Sequence, residues 1–353
     1  MNGRPGLFRG RGAGSNPANR FEENRLERDE DWNPGDDPAP KTHFLRDLSQ
    51  SIISHNDSPD IPFKASLNPY RGCEHGCSYC YARPTHEYLG FSAGLDFESK
   101  LMVKENAPEL LRRELSSPKW KPQELAMSGV TDCYQPIERK LQITRRCLAV
   151  LAEFRNPVSI ITKNFLVTRD LDLLRVLAEH RAAHVNISLN SLDSELARRL
   201  EPRASAPRQR LEAIEILAKA GVPVGVLVAP IIPVLNDPEI PAVLKAAKTA
   251  GAAWAYMEIL RLPLTVAPIF EEWLDRCVPE KKEKILGRIR AIRSGKLNDA
   301  RFGSRMSGEG IFAEQISQLF LVARRKAGLP EDSPELSTAA FRRPQGPQLA
   351  LDL

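Results

Sequence analysis

No apolar run in the sequence approaches the roughly 18 to 20 residues that would span a bilayer. The Arg-, Gly- and Asn-rich start also lacks the apolar centre of a secretory signal peptide. Both absences lead to the expectation of a cytoplasmic protein without membrane contact. Cysteine is scarce: there are six in 353 residues, and three of them crowd between positions 73 and 80. That distribution is poor for a disulfide framework and natural for metal ligation in a reducing compartment. The Gly-rich turn Arg301-Phe302-Gly303-Ser304-Arg305-Met306-Ser307-Gly308-Glu309-Gly310 is not followed by the lysine of a phosphate loop, which excludes it as a nucleotide site. His43, His55, His86, His180 and His184 are scattered and form no ligand pattern. A strong excess of one charge is lacking too. Fifty basic against 45 acidic residues give +5, which permits nucleic-acid contact without demanding it.

What is present is an ordinary globular composition, 42% hydrophobic and 27% charged, with ample material for a core. Residues 1–43 show neither helical nor strand periodicity and read as a disordered or extended arm. Residues 329–353 carry Pro330, Pro334, Pro344 and Pro347 and read as a disordered tail. Between them, short β-branched runs alternate with amphipathic segments, the order of a parallel sheet covered by helices. Strands are expected near 64–67, 125–128, 158–162, 183–188, 222–229 and 253–259. Helices are expected near 143–154, 171–180, 208–220 and 238–250. Gly221 and Gly251 read as C-terminal stops of two of these helices. An open doubly wound sheet would alternate in the same way, so periodicity leaves the barrel undecided.

The segment Leu67-Asn68-Pro69-Tyr70-Arg71-Gly72-Cys73-Glu74-His75-Gly76-Cys77-Ser78-Tyr79-Cys80-Tyr81-Ala82-Arg83 spaces its cysteines by three and then two residues. Three thiolates on one tight loop can hold three irons of a cubane cluster and leave the fourth iron open. The alternative is a zinc site with His75 as fourth ligand, at spacing poorly suited to wrapping a single ion.

This CxxxCxYC pattern after a short strand resembles the signature of the radical SAM superfamily. The resemblance covers roughly residues 60 to 262 and extends to the spore photoproduct lyase, or DNA repair photolyase-like, branch. It is carried by Cys80-Tyr81, Thr131-Asp132, Ile161-Thr162-Lys163 and Ile187-Ser188-Leu189-Asn190, each at or just past an expected strand end. It implies an α/β fold, a partial (βα)6 TIM-like barrel over residues 44–262, with a helical extension at 263–328 and tails beyond. It further implies a [4Fe–4S] cluster on Cys73, Cys77 and Cys80, and S-adenosylmethionine cleaved reductively to a 5′-deoxyadenosyl radical. An electron donor such as flavodoxin or ferredoxin is implied as partner. Carried over by position, Tyr79 and Tyr81 flank the adenosine, while Thr131, Asp132, Lys163 and Ser188 surround the cofactor. Lys163 at a strand end also suits the cofactor carboxylate on physical grounds, as a point charge in a partly dry pocket.

One departure concerns the reaction. Aligned on Thr131-Asp132, Gly129 stands where the lyases carry the cysteine that returns a hydrogen atom to the product radical. Cys133 is the candidate substitute as catalytic residue. Three functions remain open: radical chemistry on a nucleic acid, radical modification of a metabolite, peptide or protein, and non-catalytic electron transfer or binding. A pure electron carrier usually has four protein ligands to its cluster, and no fourth cysteine lies near the three. The arginines at 198, 199, 203, 208 and 210 are candidates for phosphate contact or for a solvated helix face. The final Gln348-Leu349-Ala350-Leu351-Asp352-Leu353 resembles the peptides by which bacterial repair proteins dock on the DNA sliding clamp, which implies the clamp as a further partner.

Overall fold

The structure, a computed structural model, describes residues 10–22 and 40–344. Six short apolar runs form the parallel strands β1 (Ala65–Leu67), β2 (Leu125–Met127), β3 (Val158–Thr162), β4 (Ala183–Ser188), β5 (Val224–Ile231) and β6 (Ala255–Ile259). They lie in the order β6-β5-β4-β3-β2-β1, and each neighbouring pair is parallel. A further strand, Ile53–His55, pairs antiparallel with β1 and places Ile53 opposite Leu67. Every residue of β4 is buried, as expected for a parallel strand covered on both faces.

Helices Ile143–Phe154, Leu171–Glu179, Pro207–Lys219 and Ile240–Thr249 return the chain between these strands. The first buries Cys147, Leu148, Leu151 and Phe154, a stripe at helical spacing that packs on the sheet. Gly221 and Gly251 follow two of the helices with φ of +78° and +105°, a conformation that costs other residues a Cβ clash. The result is the expected partial (βα)6 barrel, with all six C-terminal strand ends on one rim.

A small sheet and three helices lie outside this rhythm. The strands His43–Arg46, Lys100–Val103 and Tyr70–Arg71 form a small separate sheet. It fixes Tyr70 opposite Val103, three residues before the first of the three clustered cysteines. Helices Val266–Cys277, Lys282–Ile292 and Ile311–Lys326 follow the barrel. Phe270, Trp273 and Ile289 from the first two pack with Leu260, Leu262 and Cys77 in a second core beneath the rim.

Where the tails are described, the N-terminal arm takes the extended form and residues 329–344 lie against the barrel. Residues 10–22 form no helix or strand, yet Arg11, Ala13 and Asn19 are buried. The Glu98 carboxylate accepts the Gly12 and Ala13 N–H groups at 3.0 and 2.8 Å and so holds the segment down. Residues 329–344 run along the outside of the barrel: Ser337 N–H donates to Arg181 O at 2.8 Å and Arg342 N–H to Phe154 O at 2.9 Å. Buried Leu329 and the Phe341 ring, 6.3 Å from Phe154, are the apolar anchors that proline content concealed. The clamp-like residues 348–353 lie outside the described residues. Among those described, no helix is long and apolar enough to cross a membrane.

Candidate active site on the barrel rim

The cysteine loop is built by two glycines. Gly72 and Gly76 have φ of +80° and +66°, and both are crowded: a Cβ on Gly72 would fall 2.9 Å from Phe97 O, and one on Gly76 2.7 Å from the Glu98 carboxylate. Cys73 N–H donates to Phe97 O at 2.9 Å, and Ser78 N–H to Leu200 O at 3.0 Å. The fully buried Arg83 guanidinium donates twice to Cys77 O and pairs with Glu98. This scaffold directs Cys73, Cys77 and Cys80 into one cavity of about 930 Å³, including its open mouth.

Burial raises the pKa of all three thiols, and for Cys73 the Asp132 charge adds to it. Thiolates are stable there only beside a cationic centre. Among the described residues no three His, Cys, Asp or Glu side chains converge on a position for a single ion. The zinc geometry is therefore not met. A cubane, which takes one thiolate per iron, fits thiols set apart around a shared cavity.

The other residues expected at the site divide. Tyr79, Tyr81, Thr131, Asp132, Lys163 and Ser188 all line the same cavity. The Asp132 carboxylate accepts from Thr162 Oγ1 and the Lys163 N–H, each at 2.8 Å, and lies 3.3 Å from His75 Nδ1. Burial would raise its pKa, but the His75 ring and these hydrogen bonds outweigh it and hold the pKa below the usual carboxylate range. Thr131 Oγ1 donates to Tyr70 O at 2.8 Å. Tyr81, 42% exposed, donates its hydroxyl to Gly129 O at 2.8 Å and carries the Arg261 guanidinium 4.8 Å from its ring centre.

Cys133 stands apart from them. It is fully buried in the main apolar core, where its hydrogen-bond contacts are the Ser128 hydroxyl on its N–H and Thr144 on its carbonyl. It does not line the cavity. The chain turns inward after Asp132, so the thiol points into packing. Gly129 offers no substitute, and a Cβ there would sit 3.1 Å from the Phe63 ring. Among the described residues, the only cysteines on the cavity wall are the three of the loop.

The stretch Glu201-Pro202-Arg203 stands out in the sequence as a functional loop, but the sequence assigns a role only to the arginines there and none to Glu201. Its carboxylate is fully buried, accepts from the Tyr79 hydroxyl and from Arg210, and lies 3.4 Å from Lys163 Nζ. Burial opposes its ionisation, but the Arg210 and Lys163 charges and then the hydrogen bonds bring its pKa down to about 2. Arg210 is therefore an internal counter-ion and has no access to a phosphate backbone. Arg198 and Arg199 are solvated and share Glu195, while Arg203 pairs with Glu74 at 3.2 Å. Glu258 and Arg261, at the end of β6, also face the cavity and pair at 2.8 Å. The signal for Glu201 was its position in an irregular stretch after a strand–helix unit, but partners nine, 38 and 122 positions away cannot be read from spacing.

The family model described as the Radical SAM superfamily matches residues 67–247, just over half of the chain. This chain belongs to the radical SAM superfamily. The family is one of enzymes, and its cofactors are a [4Fe–4S] cluster and S-adenosylmethionine. An uncharacterised protein of Mycobacterium tuberculosis is 38% identical over 222 residues, 62% of this chain and 65% of that one. An uncharacterised protein of Methanocaldococcus jannaschii is 31% identical over 222 residues, 63% of this chain and 79% of that one. The chain thus matches somewhat less than two thirds of the mycobacterial relative's length. Among solved structures, this radical SAM chain is similar in fold to spore photoproduct lyase complexed with dinucleoside spore photoproduct. The TM-score is 0.57 at 15% identity, over 80% of this chain and 79% of that one. A variant of that lyase with bound AdoMet and dinucleoside spore photoproduct gives a TM-score of 0.58, also at 15% identity, over 80% and 78% of the two chains.

Proposed function

We propose that Cys73, Cys77 and Cys80 each ligate one iron of the [4Fe–4S] cluster, that S-adenosylmethionine occupies the remaining cavity, and that the enzyme modifies a nucleic-acid base. The observation that carries this reading is the gathering of three thiols, without a fourth among the described residues, in a cavity that Lys163 also lines. When bound, the cluster and S-adenosylmethionine supply reductive C–S cleavage and hydrogen abstraction by a 5′-deoxyadenosyl radical.

The chain's residues bind, orient and shield. Lys163 and Arg210 share one carboxylate, Glu201, so the largely enclosed trio has one positive charge in surplus. The cofactor carboxylate neutralises it, and Lys163 is its partner. Thr131 donates to the backbone and keeps its lone pairs for the cofactor ammonium. Asp132 is saturated by protein donors; it acts by fixing the Lys163 backbone and the loop residue His75. Ser188 at the end of β4, Tyr79 and Ala229-Pro230 line the cavity and would hold the ribose, the adenosine side and the adenine edge in turn. The apolar walls exclude water from the reacting carbon. The electron comes from a carrier such as flavodoxin or ferredoxin.

Support for a nucleic-acid substrate comes from the mouth, where half-exposed Tyr81 under Arg261 offers a stacking surface for an unpaired base. The likeness of fold to a lyase solved with a dinucleoside photoproduct points the same way. With glycine at position 129 and Cys133 in the core, the reaction ends without a hydrogen atom from a protein thiol, which separates it from a simple lyase.

The test is anaerobic incubation of the reconstituted protein with dithionite, S-adenosylmethionine and DNA, single-stranded and duplex, intact and ultraviolet-irradiated. A rise in 5′-deoxyadenosine that depends on DNA, with deuterium passing to it from labelled bases, is the expected result. A rise that depends only on metabolites or peptides would replace the substrate class.

A further inference from the structure

We propose that the outer face of the cysteine loop is the docking surface for the reductant, a small acidic protein carrying a one-electron flavin or iron–sulfur centre. The proposal rests on the cluster reading given above and adds where the electron enters.

The loop has two sides. Its thiols line the inner cavity together with the cofactor residues, a space suited to small molecules and not to a protein. On the outside the extended Gly10–Ala13 segment lies directly against it: a methyl group on Gly12 would fall 1.7 Å from Gly76 O and 3.2 Å from Ser78 N. The Ser78 N–H reaches Leu200 O, so the end of helix Ser194–Leu200 abuts the same stretch. Gly12 and that helix's Arg198 and Arg199 also line a second pocket, about 960 Å³ including its opening to solvent. A single backbone layer therefore separates this pocket from the Gly76–Ser78 stretch that contains Cys77. Such a layer is a short route for an electron.

The pocket is charged to receive an acidic surface. Arg11, Arg198, Arg199 and Arg276 line it against one carboxylate, Glu195. Adding the flanking Arg203 with its partner Glu74, and Glu272 at 3.6 Å from Arg276, gives five cations and three carboxylates among the described residues. Arg11 is 4% exposed, as is the Arg276 side chain, and among the described residues neither Nε has a hydrogen-bond partner. Burial, and after it the Arg203 charge, holds the Arg11 pKa below its usual value, against the opposing pull of Glu98 and Glu74. Carboxylates on a partner compensate a positive field and steer the encounter. In the transfer itself the donor loses one electron, the oxidised cluster gains it, and no bond is made or broken.

The experiment is anaerobic stopped-flow reduction of the reconstituted full-length chain, followed by cluster absorbance, with reduced flavodoxin or with dithionite. Flavodoxin should reduce the wild type more slowly as salt rises. Arg198 and Arg199 are 68% and 43% exposed, so reversing their charge leaves the fold intact, which equal iron content checks. The variant Arg198→Glu, Arg199→Glu should lose about tenfold in rate with flavodoxin at low salt. Its rate with dithionite should match the wild type. Glu195→Gln, which removes the one lining carboxylate, should accelerate reduction by flavodoxin. Equal flavodoxin rates in all three proteins, or no salt dependence in the wild type, would overturn the docking surface alone. Failure of dithionite to reduce the wild type would overturn the cluster reading beneath it.

Discussion

Two groups of cysteines share burial and differ in nearly everything else. Cys73, Cys77 and Cys80 line a cavity on a glycine-shaped loop, whereas Cys133 and Cys147 are fully enclosed by apolar neighbours in the main core. Burial raises the pKa in both groups. The shift therefore does not distinguish a ligand from a packing residue. What distinguishes them is the space in front of the thiol: a cavity can admit a cationic centre that reverses the shift, and a packed core cannot.

The largest effect that can break this comparison is loss of the cluster. Replacing Cys73, Cys77 or Cys80 by Ala should abolish iron and sulfide incorporation on anaerobic reconstitution, while Cys133→Ala should retain both. Iron analysis of the four proteins decides it, and retention of full iron by any loop variant contradicts the assignment.

Next comes Lys163. Its ammonium should stabilise the cofactor carboxylate by about 1.5 to 3 kcal/mol, the range of a hydrogen bond to a charged group. Lys163→Ala should weaken S-adenosylmethionine binding by roughly one to two decades with iron content unchanged, as measured by equilibrium dialysis. Unaltered affinity would leave Lys163 as the partner of Glu201 only.

The largely enclosed trio sharpens the comparison through pH. The Glu201 pKa is depressed from its ordinary value of 4.5 to about 2. Its contribution is therefore complete above pH 4.5 and fades as pH falls towards 2, on the order of 1 to 3 kcal/mol in all. Denaturant unfolding across that window should show a shallower acid loss in Glu201→Gln than in the wild type. Parallel curves would mean that Glu201 is not ionised in the fold.

Much of the architecture was legible because it is periodic. The β-branched run Val158–Thr162 and the stripe Cys147, Leu148, Leu151 and Phe154 declare a buried strand and a one-sided helix locally. The cysteine loop was legible because its spacing is itself chemistry. What escaped depends on partners distant in sequence. Glu201 acquires its meaning from Tyr79, 122 positions away, and Gly12 from Glu98, 86 positions away. The small strand His43–Arg46 is exposed throughout and shows no alternation to read. Cys133 misled for the opposite reason: its neighbours in sequence line the cavity, but the direction of its side chain is set by the turn after Asp132.

The smallest expected effect is that of Cys133→Ala on stability. It should cost about 1 kcal/mol, the scale of a buried cavity no larger than a small group, and change neither iron content nor the yield of 5′-deoxyadenosine. Thermal unfolding and a single-turnover assay check both. A cluster-replete variant that had lost radical chemistry would return Cys133 to the reaction.

The central claim, three cysteine ligands and one iron open to the cofactor, is tested most directly by electron paramagnetic resonance of the dithionite-reduced protein with and without S-adenosylmethionine. The account predicts a [4Fe–4S] signal that shifts on adding the cofactor. A signal identical in both samples, from protein with a full complement of iron, would contradict it.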